Sequence, residues 1–353
     1  MLNPGYTTIS KFLIQQVPEG RQGRELAALL VDVAAVIKAV SVALGKGRLV
    51  GLSSLAGTEE ARGISAADVD ALVDDYFIRG VEWSGLIGAI ASEEMTEPRF
   101  IEGEGNLALV FDPLEGSQHL DVNVSLGSIF SVLALPDAGR NPAAIFQPGT
   151  RQLAAGYAIY GPSTQVVLSV GQGTHGFTLD REIGNFVLTN PGIRVPEETS
   201  EYFINASNRR FWEPPITRYV DECKAGRDGP RGRDFNTRWA ASMVADVHRI
   251  LMRSGIYLFP RDERADHRSG RLRLLFEAAP LAMLVEQAGG MASTGRGRLL
   301  EVVPEALHQR VPAIMGSRVE VERVQRYHEE YDRGDDQPYK SPLFGERSLF
   351  SNA

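Results

Sequence analysis

The chain has 353 residues, of which 43% are hydrophobic and 23% are charged, a balance that is typical of a soluble globular protein. This composition excludes a disordered, collagen-like or coiled-coil chain, and the length allows either two domains or one large one. With 37 Lys and Arg against 45 Asp and Glu residues, the net charge of −8 argues against general nucleic-acid binding. The single cysteine, Cys223, excludes an intrachain disulfide and a multi-cysteine metal site. No apolar run reaches the roughly 18 residues of a membrane helix and no signal peptide is evident, so we expect a cytoplasmic protein without a membrane partner.

The first elements along the chain are two predicted helices that flank a loop. Apolar residues recur at helical spacing from Leu26 to Leu44, and Gly45 is a stop signal for that helix. The Gly-, Ser- and Glu-rich segment 51–65 predicts a mobile loop. Residues 66–79 again show a helical pattern.

A series of strands follows, and then three more helices. The apolar run Leu107–Phe111 predicts a buried strand that ends at Asp112-Pro113, because a proline cannot continue the ladder. Five β-rich runs separated by Gly and Pro turns predict a meander of strands at 128–135, 153–160, 165–170, 176–179 and 185–188. A boundary is expected at 191–198, and helical patterns follow at 239–252, at 280–288 (ended by Gly289-Gly290) and at 319–331. Interleaved helices and strands predict layers of the α/β or α+β class.

The most informative stretch follows the predicted strand 107–111. Asp112 stands at the strand end, Leu114 offers a backbone carbonyl, and Glu115 offers a second carboxylate. Gly116 and Ser117 then expose backbone N–H groups in a turn, which suits a phosphate oxygen. Carboxylate and carbonyl oxygens suit a hard cation such as Mg²⁺, so the stretch is typical of metal-assisted phosphoryl chemistry.

Two adjacent carboxylates, Glu93 and Glu94, follow the apolar run 86–91. At the end of a strand, adjacent acids can diverge toward two metal ions. Such a pair is more often a solvated turn, so taken alone it carries little weight and both interpretations stay open.

The string Asp112-Pro-Leu-Glu-Gly-Ser117 resembles the Asp-Pro-Leu-Asp-Gly-Ser signature of class 1 fructose-1,6-bisphosphatases, within the lithium-sensitive, Mg²⁺-dependent sugar phosphatases. Further matches in order cover nearly the whole chain, including Ala91-Ser-Glu-Glu-Met95, Val124-Ser-Leu-Gly-Ser-Ile-Phe130, Ser242-Met-Val-Ala-Asp-Val-His-Arg249, Leu272-Arg-Leu-Leu-Phe-Glu277 and His308-Gln-Arg310. The resemblance implies alternating α-β-α-β-α layers of the sugar phosphatase fold. It also implies a metal and 1-phosphate domain at 1–195, a sugar-phosphate domain at 196–335 and a C-terminal tail at 336–353.

The resemblance implies a role for each matching residue. Metal ions would be held by the carbonyl of Leu114 and by the side chains of Glu93, Glu94, Asp112, Glu115 and Glu277. The 1-phosphate would contact the N–H groups of Gly116 and Ser117 and the side chain of Arg273. The sugar and the 6-phosphate would contact Asn205, Met243, Arg271 and Arg238, the last serving a neighbouring subunit. The catalytic set would be Asp70, Glu94 and Asp112, with Asp70 orienting a metal-activated water for in-line attack.

Two departures from the family pattern affect the chemistry. Glu115 stands where the family has Asp, which displaces its oxygens by roughly one C–C bond, and Mg²⁺ tolerates such shifts poorly. Ile64 replaces an acid that accepts a proton in the loop. Either Glu59 or Glu60 takes over, or the base step weakens by about 10²-fold or more.

Other departures affect the sugar pocket. Three family tyrosines correspond to Asn208, Trp239 and Phe259, which removes three phenol hydroxyls. A family lysine is Arg271, which can hold a phosphate with two N–H groups. The pocket is therefore expected to bind fructose 1,6-bisphosphate less tightly or to suit another sugar.

The AMP site of the family is not expected here. The segments Gly23-Arg-Glu-Leu-Ala27, Asn106-Leu107 and Ala134 lack the hydroxyls, the amine and the guanidinium of that site. We therefore expect no AMP inhibition. The lone Cys223 also excludes the intrachain redox switch of plastid relatives.

Three functions follow from these residues. The leading one is hydrolysis of the 1-phosphate of fructose 1,6-bisphosphate with Mg²⁺ or Mn²⁺, in gluconeogenesis or the Calvin cycle. An alternative is sedoheptulose 1,7-bisphosphatase activity, alone or in addition. The third is a non-catalytic paralogue that keeps the fold and binds sugar phosphate, which Ile64 and Glu115 motivate. The resemblance further implies a homotetramer.

Overall fold

The computed structural model describes residues 6–50, 66–136, 141–264 and 268–338, so the predicted loop 51–65, with Ile64, lies outside the described residues. Within these ranges the helices are α1 (Ile9–Gln16), α2 (Arg21–Lys46), α3 (Ala66–Glu82), α4 (Pro214–Ala225), α5 (Met243–Arg253), α6 (Ala279–Gln287) and α7 (Arg318–Arg333). The strands are β1 (Ile87–Ser92), β2 (Arg99–Phe100), β3 (Leu107–Glu115), β4 (Leu126–Ala134), β5 (Gln152–Tyr160), β6 (Thr164–Ser169), β7 (Thr174–Asp180), β8 (Asn185–Ile193), β9 (Glu201–Phe203), β10 (Asn236–Arg238), β11 (Ile256–Phe259), β12 (Leu272–Arg273), β13 (Met291–Ser293), β14 (Arg310–Val311) and β15 (Ala313–Gly316).

Helix α2 confirms the helical pattern predicted from Leu26 to Leu44, but the predicted stop is wrong. Gly45 lies inside the helix, which ends before Gly47, where a backbone φ of +46° favours glycine. An 18-residue window of α2 has a mean hydropathy of 2.2, so by length and composition alone this helix could cross a membrane. The sequence prediction overlooked that window, because Asp32 and Lys38 interrupt the apolar run. More than half of the window, 56%, is buried inside the protein, as in a core helix.

The six predicted strands are confirmed as β3 to β8, and together with β1 and β2 they form one eight-stranded sheet in the order β2-β1-β3-β4-β5-β6-β7-β8. Strands β1 and β3 are parallel, and the meander from β3 to β8 is antiparallel throughout. The predicted end of β3 at Pro113 is wrong, since the strand runs on to Glu115. The register against β4 shifts between Asp112 and Glu115, and this bulge takes Pro113 out of the ladder, where its missing N–H does no harm.

The second sheet has five strands in the order β10-β9-β11-β15-β13. The helix predicted at 239–252 begins later, at Met243, because Ala241 has a φ of +62° and Ser242 caps the first turn through its side chain. The predicted glycine stop of α6 is confirmed, since Gly289 has a φ of +86° and its N–H donates to the carbonyl of Glu286.

The two sheets and their helices stack as five layers. Helices α1, α2 and α3 cover one face of the eight-stranded sheet, and α5 and α6 fill the space between its other face and the second sheet. Helices α4 and α7 cover the far side of the second sheet. The predicted α-β-α-β-α layering is therefore confirmed, and the middle layer is where both halves of the chain meet.

A half-buried histidine in the middle layer predicts acid sensitivity. His248 on α5 and Tyr157 on β5 share a 2.8 Å hydrogen bond, and burial lowers the pKa of His248 to about 4. The unfolded chain, with a His pKa of about 6.5, binds this proton more readily, so stability is full above about pH 6.5 and is lost as the pH falls toward 4. His248→Gln keeps a hydrogen-bond partner for the Tyr157 hydroxyl. It should reduce the loss in free energy of unfolding between pH 6.5 and 4 by about 3 kcal/mol.

Urea unfolding at several pH values measures this effect, with His175→Gln as the control, because His175 packs against Phe12 of α1, outside the middle layer. If His248→Gln left the pH dependence of the free energy of unfolding unchanged, His248 would not be the source of the acid sensitivity.

Candidate active site

A cluster of carboxylates lies at one edge of the eight-stranded sheet, where the parallel strands β1 and β3 end side by side. The backbone N–H of Glu93 donates to the carbonyl of Phe111 at 3.0 Å, which brings Glu93 beside Asp112. These two side chains share a hydrogen bond. The Leu114 N–H donates to Asp112 Oδ1 at 3.1 Å and fixes the carboxylate in the bulge.

Glu277 brings a carboxylate from the other half of the chain. It lies in a π-helical turn, Leu274–Ala278, just before α6, and the N–H of Arg273 donates to its Oε2 at 2.6 Å. Burial, then the charge of Glu93, raises the pKa of Glu277 to about 8. Burial, followed by the charges of Glu93 and Glu277, raises the pKa of Asp112 well above its usual value. Buried carboxylates that repel one another in this way favour a bound cation.

The donor chemistry of this cluster fits a hard divalent ion such as Mg²⁺, which prefers carboxylate oxygens. Within the described residues, no three acidic, His or Cys side chains already stand as a preformed metal site. One reason is that Arg273 Nε donates to Glu93 Oε1 at 3.0 Å and occupies that oxygen. An ion bound through this oxygen of Glu93 would compete with Arg273 for it.

A second acidic group lies between α3 and the turn at 116–117. The Ser117 hydroxyl donates to Asp70 Oδ2 at 2.9 Å, whereas the buried Oδ1 has no partner among the described residues. Burial raises the pKa of Asp70 to about 6, and burial followed by Glu93 raises the pKa of Glu94. Asp74 follows Asp70 by one helical turn and also has a buried oxygen without a described partner. Sequence reasoning missed Asp74, although the i, i+4 spacing could have indicated it.

A cavity of about 670 Å³ opens beside the carboxylates. It brings together seven of the predicted site residues: Glu93, Glu115, Glu277, Asn205, Met243, Arg271 and Arg273. Gly116 and Ser117 stand in the chain between two further lining residues, Glu115 and Gln118. Arg238 is not part of this lining, because it lies exposed on the edge strand β10, where its Nε donates to Glu201 at 3.2 Å.

The cationic end of the cavity contains an arginine that sequence reasoning missed. Arg310 on β14 stands directly opposite Arg273 on β12, and both line the cavity with Arg271. Like charges in opposite positions of a ribbon repel each other unless an anion lies between them. Arg310 has no ion pair among the described residues, so its guanidinium is available to a ligand. The family match His308-Gln-Arg310 includes this residue without assigning it a role, and only strand pairing places it opposite Arg273.

An aromatic wall forms another side of the cavity. The rings of Trp239, Tyr257 and Phe259 are nearly parallel, with centroids 5.8–6.1 Å apart. The guanidinium of Arg271 lies 5.2 Å from the Phe259 ring centre. Asn208 does not line this cavity but lies in a small adjoining pocket. At Trp239 and Phe259 the wall offers flat apolar rings, in keeping with the phenol hydroxyls that the sequence predicts to be missing there.

Glu115 lines the cavity but directs its carboxylate to α5. It accepts hydrogen bonds from the Ser242 hydroxyl and the Met243 N–H, both at 3.0 Å, and from the Val244 N–H at 3.3 Å. The structure therefore joins the two predicted site residues Glu115 and Met243 directly.

Comparison with known proteins gives consistent matches along the chain. The sequence model described as fructose-1-6-bisphosphatase, N-terminal domain, matches residues 7–191, and its C-terminal counterpart matches residues 195–329. The class 1 fructose-1,6-bisphosphatase of Hydrogenophilus thermoluteolus is 49% identical, with 97% of each chain covered. A class 1 fructose-1,6-bisphosphatase of Methylibium petroleiphilum is 48% identical, with 99% of each chain covered.

Solved structures give the same result. The holo crystal structure of Leishmania major fructose-1,6-bisphosphatase superposes with a TM-score of 0.83 at 36% identity, covering 92% of this chain and 99% of that one. The T-state structure of the same protein gives a TM-score of 0.82 at 35% identity, covering 93% and 100%. Both family models, the sequence relatives and the solved structures thus agree over nearly the whole chain. The chain belongs to the class 1 fructose-1,6-bisphosphatase family.

Proposed function

We propose that this chain hydrolyses the 1-phosphate of fructose 1,6-bisphosphate, giving fructose 6-phosphate and phosphate, in carbohydrate metabolism. The observation that carries the proposal is the cavity itself, whose lining combines carboxylates from both halves of the chain with three arginines. The carboxylates supply a cation site and the arginines supply an anion site, and a sugar carrying two phosphates needs both.

Divalent cations, Mg²⁺ or Mn²⁺, would be held by Glu93, Glu94, Asp112, Glu277 and the Leu114 carbonyl. When bound, such ions lower the pKa of water and neutralise charge on the transferring phosphoryl group. The N–H groups of Gly116 and Ser117 and the Arg273 guanidinium bind the phosphate oxygens. Asp70 Oδ1, free of described partners and with a pKa of about 6, accepts a proton from the attacking water near neutral pH.

Sedoheptulose 1,7-bisphosphate is a second candidate substrate, favoured by the aromatic wall. Trp239 and Phe259 offer van der Waals contact to a sugar chain rather than fixed hydroxyl donors, which relaxes the demand on where the distal phosphate lies. Steady-state kcat/KM for the two bisphosphates, with released phosphate as the readout, separates the candidates. AMP is expected to leave both rates unchanged. A folded, metal-loaded protein that released phosphate from neither substrate would support the non-catalytic paralogue instead.

We further propose that the chain works as a cytoplasmic homotetramer. Along α2 an exposed apolar stripe runs at heptad-like spacing through Ala28, Val31, Ala35, Ala39 and Val42. Such a stripe suits burial against another copy of the chain. Arg238, exposed at the edge of the second sheet, is available to a neighbouring subunit's site.

Arg310 is expected to bind a substrate phosphate. Arg310→Ala should raise KM for fructose 1,6-bisphosphate about tenfold or more, since a hydrogen bond to a charged group is worth about 1.5–3 kcal/mol. Arg310→Lys should restore only part of the loss, because lysine cannot form two parallel hydrogen bonds. Arg298→Ala, which removes a surface pair with Glu286, is the control and should leave KM unchanged. An unchanged KM in Arg310→Ala would contradict this role.

A further inference from the structure

The carboxylate of Glu115 crosses from the eight-stranded sheet to the first turn of α5. Its Oε1 accepts from the Met243 N–H, and its Oε2 accepts from the Ser242 hydroxyl and the Val244 N–H, at 3.0–3.3 Å. The first N–H groups of a helix have no partner within the helix and carry its positive partial charge. Glu115 therefore caps a helix that begins 128 residues later in the chain.

The backbone around Glu115 is built for this close approach. In the β3–β4 ladder, Glu115 pairs with Gly127, the neighbour that faces α5. A Cβ atom at position 127 would lie 2.5 Å from a side-chain methyl of Val244. Only glycine leaves room there, so the sheet and the first turn of α5 touch at the point where Glu115 makes its three hydrogen bonds.

The length of the side chain decides whether this contact forms. An aspartate at position 115 is one methylene shorter, which withdraws its oxygens by roughly 1.5 Å. Hydrogen bonds of 3.0–3.3 Å would then open beyond about 4 Å and cease to exist. The glutamate is thus what allows the signature turn to reach α5, and its three bonds use most of the roughly four lone-pair sites that a carboxylate offers.

We propose that Glu115 is a positioning residue that holds α5, and with it Met243, against the signature turn, and that it is not a metal ligand. Metal coordination by Glu115 would require it to release donors that are buried in the middle layer. The part of this inference that treats Met243 as a substrate contact rests on the proposed function. The helix cap itself does not depend on that function.

The test uses Glu115→Gln in the full-length protein, with thermal unfolding in EDTA and calorimetric titration with Mn²⁺. The amide keeps one acceptor for Met243 but presents an NH₂ group to the Val244 N–H, so Tm in EDTA should fall by about 2–6 °C. The Kd for Mn²⁺ should stay within about threefold, because a group outside the ligand set leaves the metal's own donors in place. If the sugar bisphosphate is turned over, KM should rise while kcat stays within about threefold, which distinguishes positioning from a merely structural role.

The matched control is Glu277→Gln, which changes a residue of the expected ligand set in the same way. It should weaken Mn²⁺ binding at least tenfold, because an amide replaces a carboxylate ligand, and it should not lower Tm in EDTA, because the amide oxygen can still accept from the Arg273 N–H. The proposal is overturned if Glu115→Gln weakens Mn²⁺ binding more than tenfold, or if its Tm in EDTA equals that of the unmodified protein. Because neither readout needs a substrate, the proposed function can fail while this inference stands.

Discussion

Replacing Asp112 by asparagine should lower kcat for fructose 1,6-bisphosphate about 10³-fold while leaving the fold at least as stable. Divalent-metal stabilisation of phosphoryl transfer is worth several kcal/mol, and each 1.36 kcal/mol is a factor of ten in rate. Asparagine keeps the oxygen that accepts from the Leu114 N–H, so the bulge of β3 is preserved. It removes a charge whose burial already raises the pKa of Asp112 well above its usual value. The rate of phosphate release should therefore fall, whereas Tm in EDTA should rise or stay unchanged.

Asp180 offers a matched control for that substitution. Its Oδ1 accepts from the N–H of the residue two positions later, Glu182, at 2.9 Å, which is the same local contact that Asp112 makes with Leu114. Asp180→Asn should keep full activity, because Asp180 ends β7, away from the carboxylate edge. Retention of more than a tenth of the activity in Asp112→Asn would refute the role of Asp112.

Glu320→Gln should destabilise the protein by about 3–5 kcal/mol, the usual cost of leaving a buried charge without its partner. Glu320 on α7 is fully buried and accepts two hydrogen bonds from Arg231 at 2.6 and 2.7 Å, one from Arg233 at 2.9 Å and one from the Tyr219 hydroxyl at 2.7 Å. The arginine side chain of the main pair is only 2% exposed, so water cannot replace the lost carboxylate. Urea unfolding measures the change.

A pair at the protein surface is the control, because it shows whether burial or the number of hydrogen bonds determines the loss of stability. Glu286 also accepts several hydrogen bonds from one arginine, Arg298, but that arginine side chain is 45% exposed. Glu286→Gln should cost less than about 1 kcal/mol. Adding Arg231→Met to Glu320→Gln should recover part of the loss, because the unpaired charge is then gone. Equal losses at the two glutamates would contradict this account.

Local patterns predicted five of the seven described helices and the strands β3 to β8, but not α1, α4 or the short strands β9 to β15. Among the predicted elements, the errors at the boundaries occur where distant contacts decide. The strand that ends before Pro113 in the sequence prediction continues because β4 accommodates a bulge, which is a property of the strand pair. The helix predicted from Trp239 begins only at Met243. The positive φ of Ala241 breaks the helical backbone, although the apolar sequence pattern continues past this residue. Periodicity records which residues are buried, whereas the limits of an element depend on its hydrogen-bond partners.

The same holds for the candidate site: its local features were predictable, and its contacts between distant residues were not. The acids around β1 and β3 were predictable because strand ends and the signature string are local. Glu115 was expected to have displaced oxygens, but their destination on α5 depends on packing between the two halves of the chain. The pairing of Arg273 with Arg310 joins residues 37 positions apart on two short strands, and neither strand has a recognisable pattern of its own. The roles of these residues in metal and substrate binding stay predictions.

The aromatic wall has an optical consequence. The three tryptophans occupy three different surroundings: Trp83 is 74% exposed to water, Trp212 is 6% exposed within the core, and Trp239 faces the cavity. A sugar phosphate that entered this cavity would change the surroundings of the Trp239 indole more than those of the other two. The fluorescence of Trp239 should therefore report whether the cavity is occupied. Stopped-flow fluorescence could then follow ligand binding without a label, before the phosphate ester is hydrolysed.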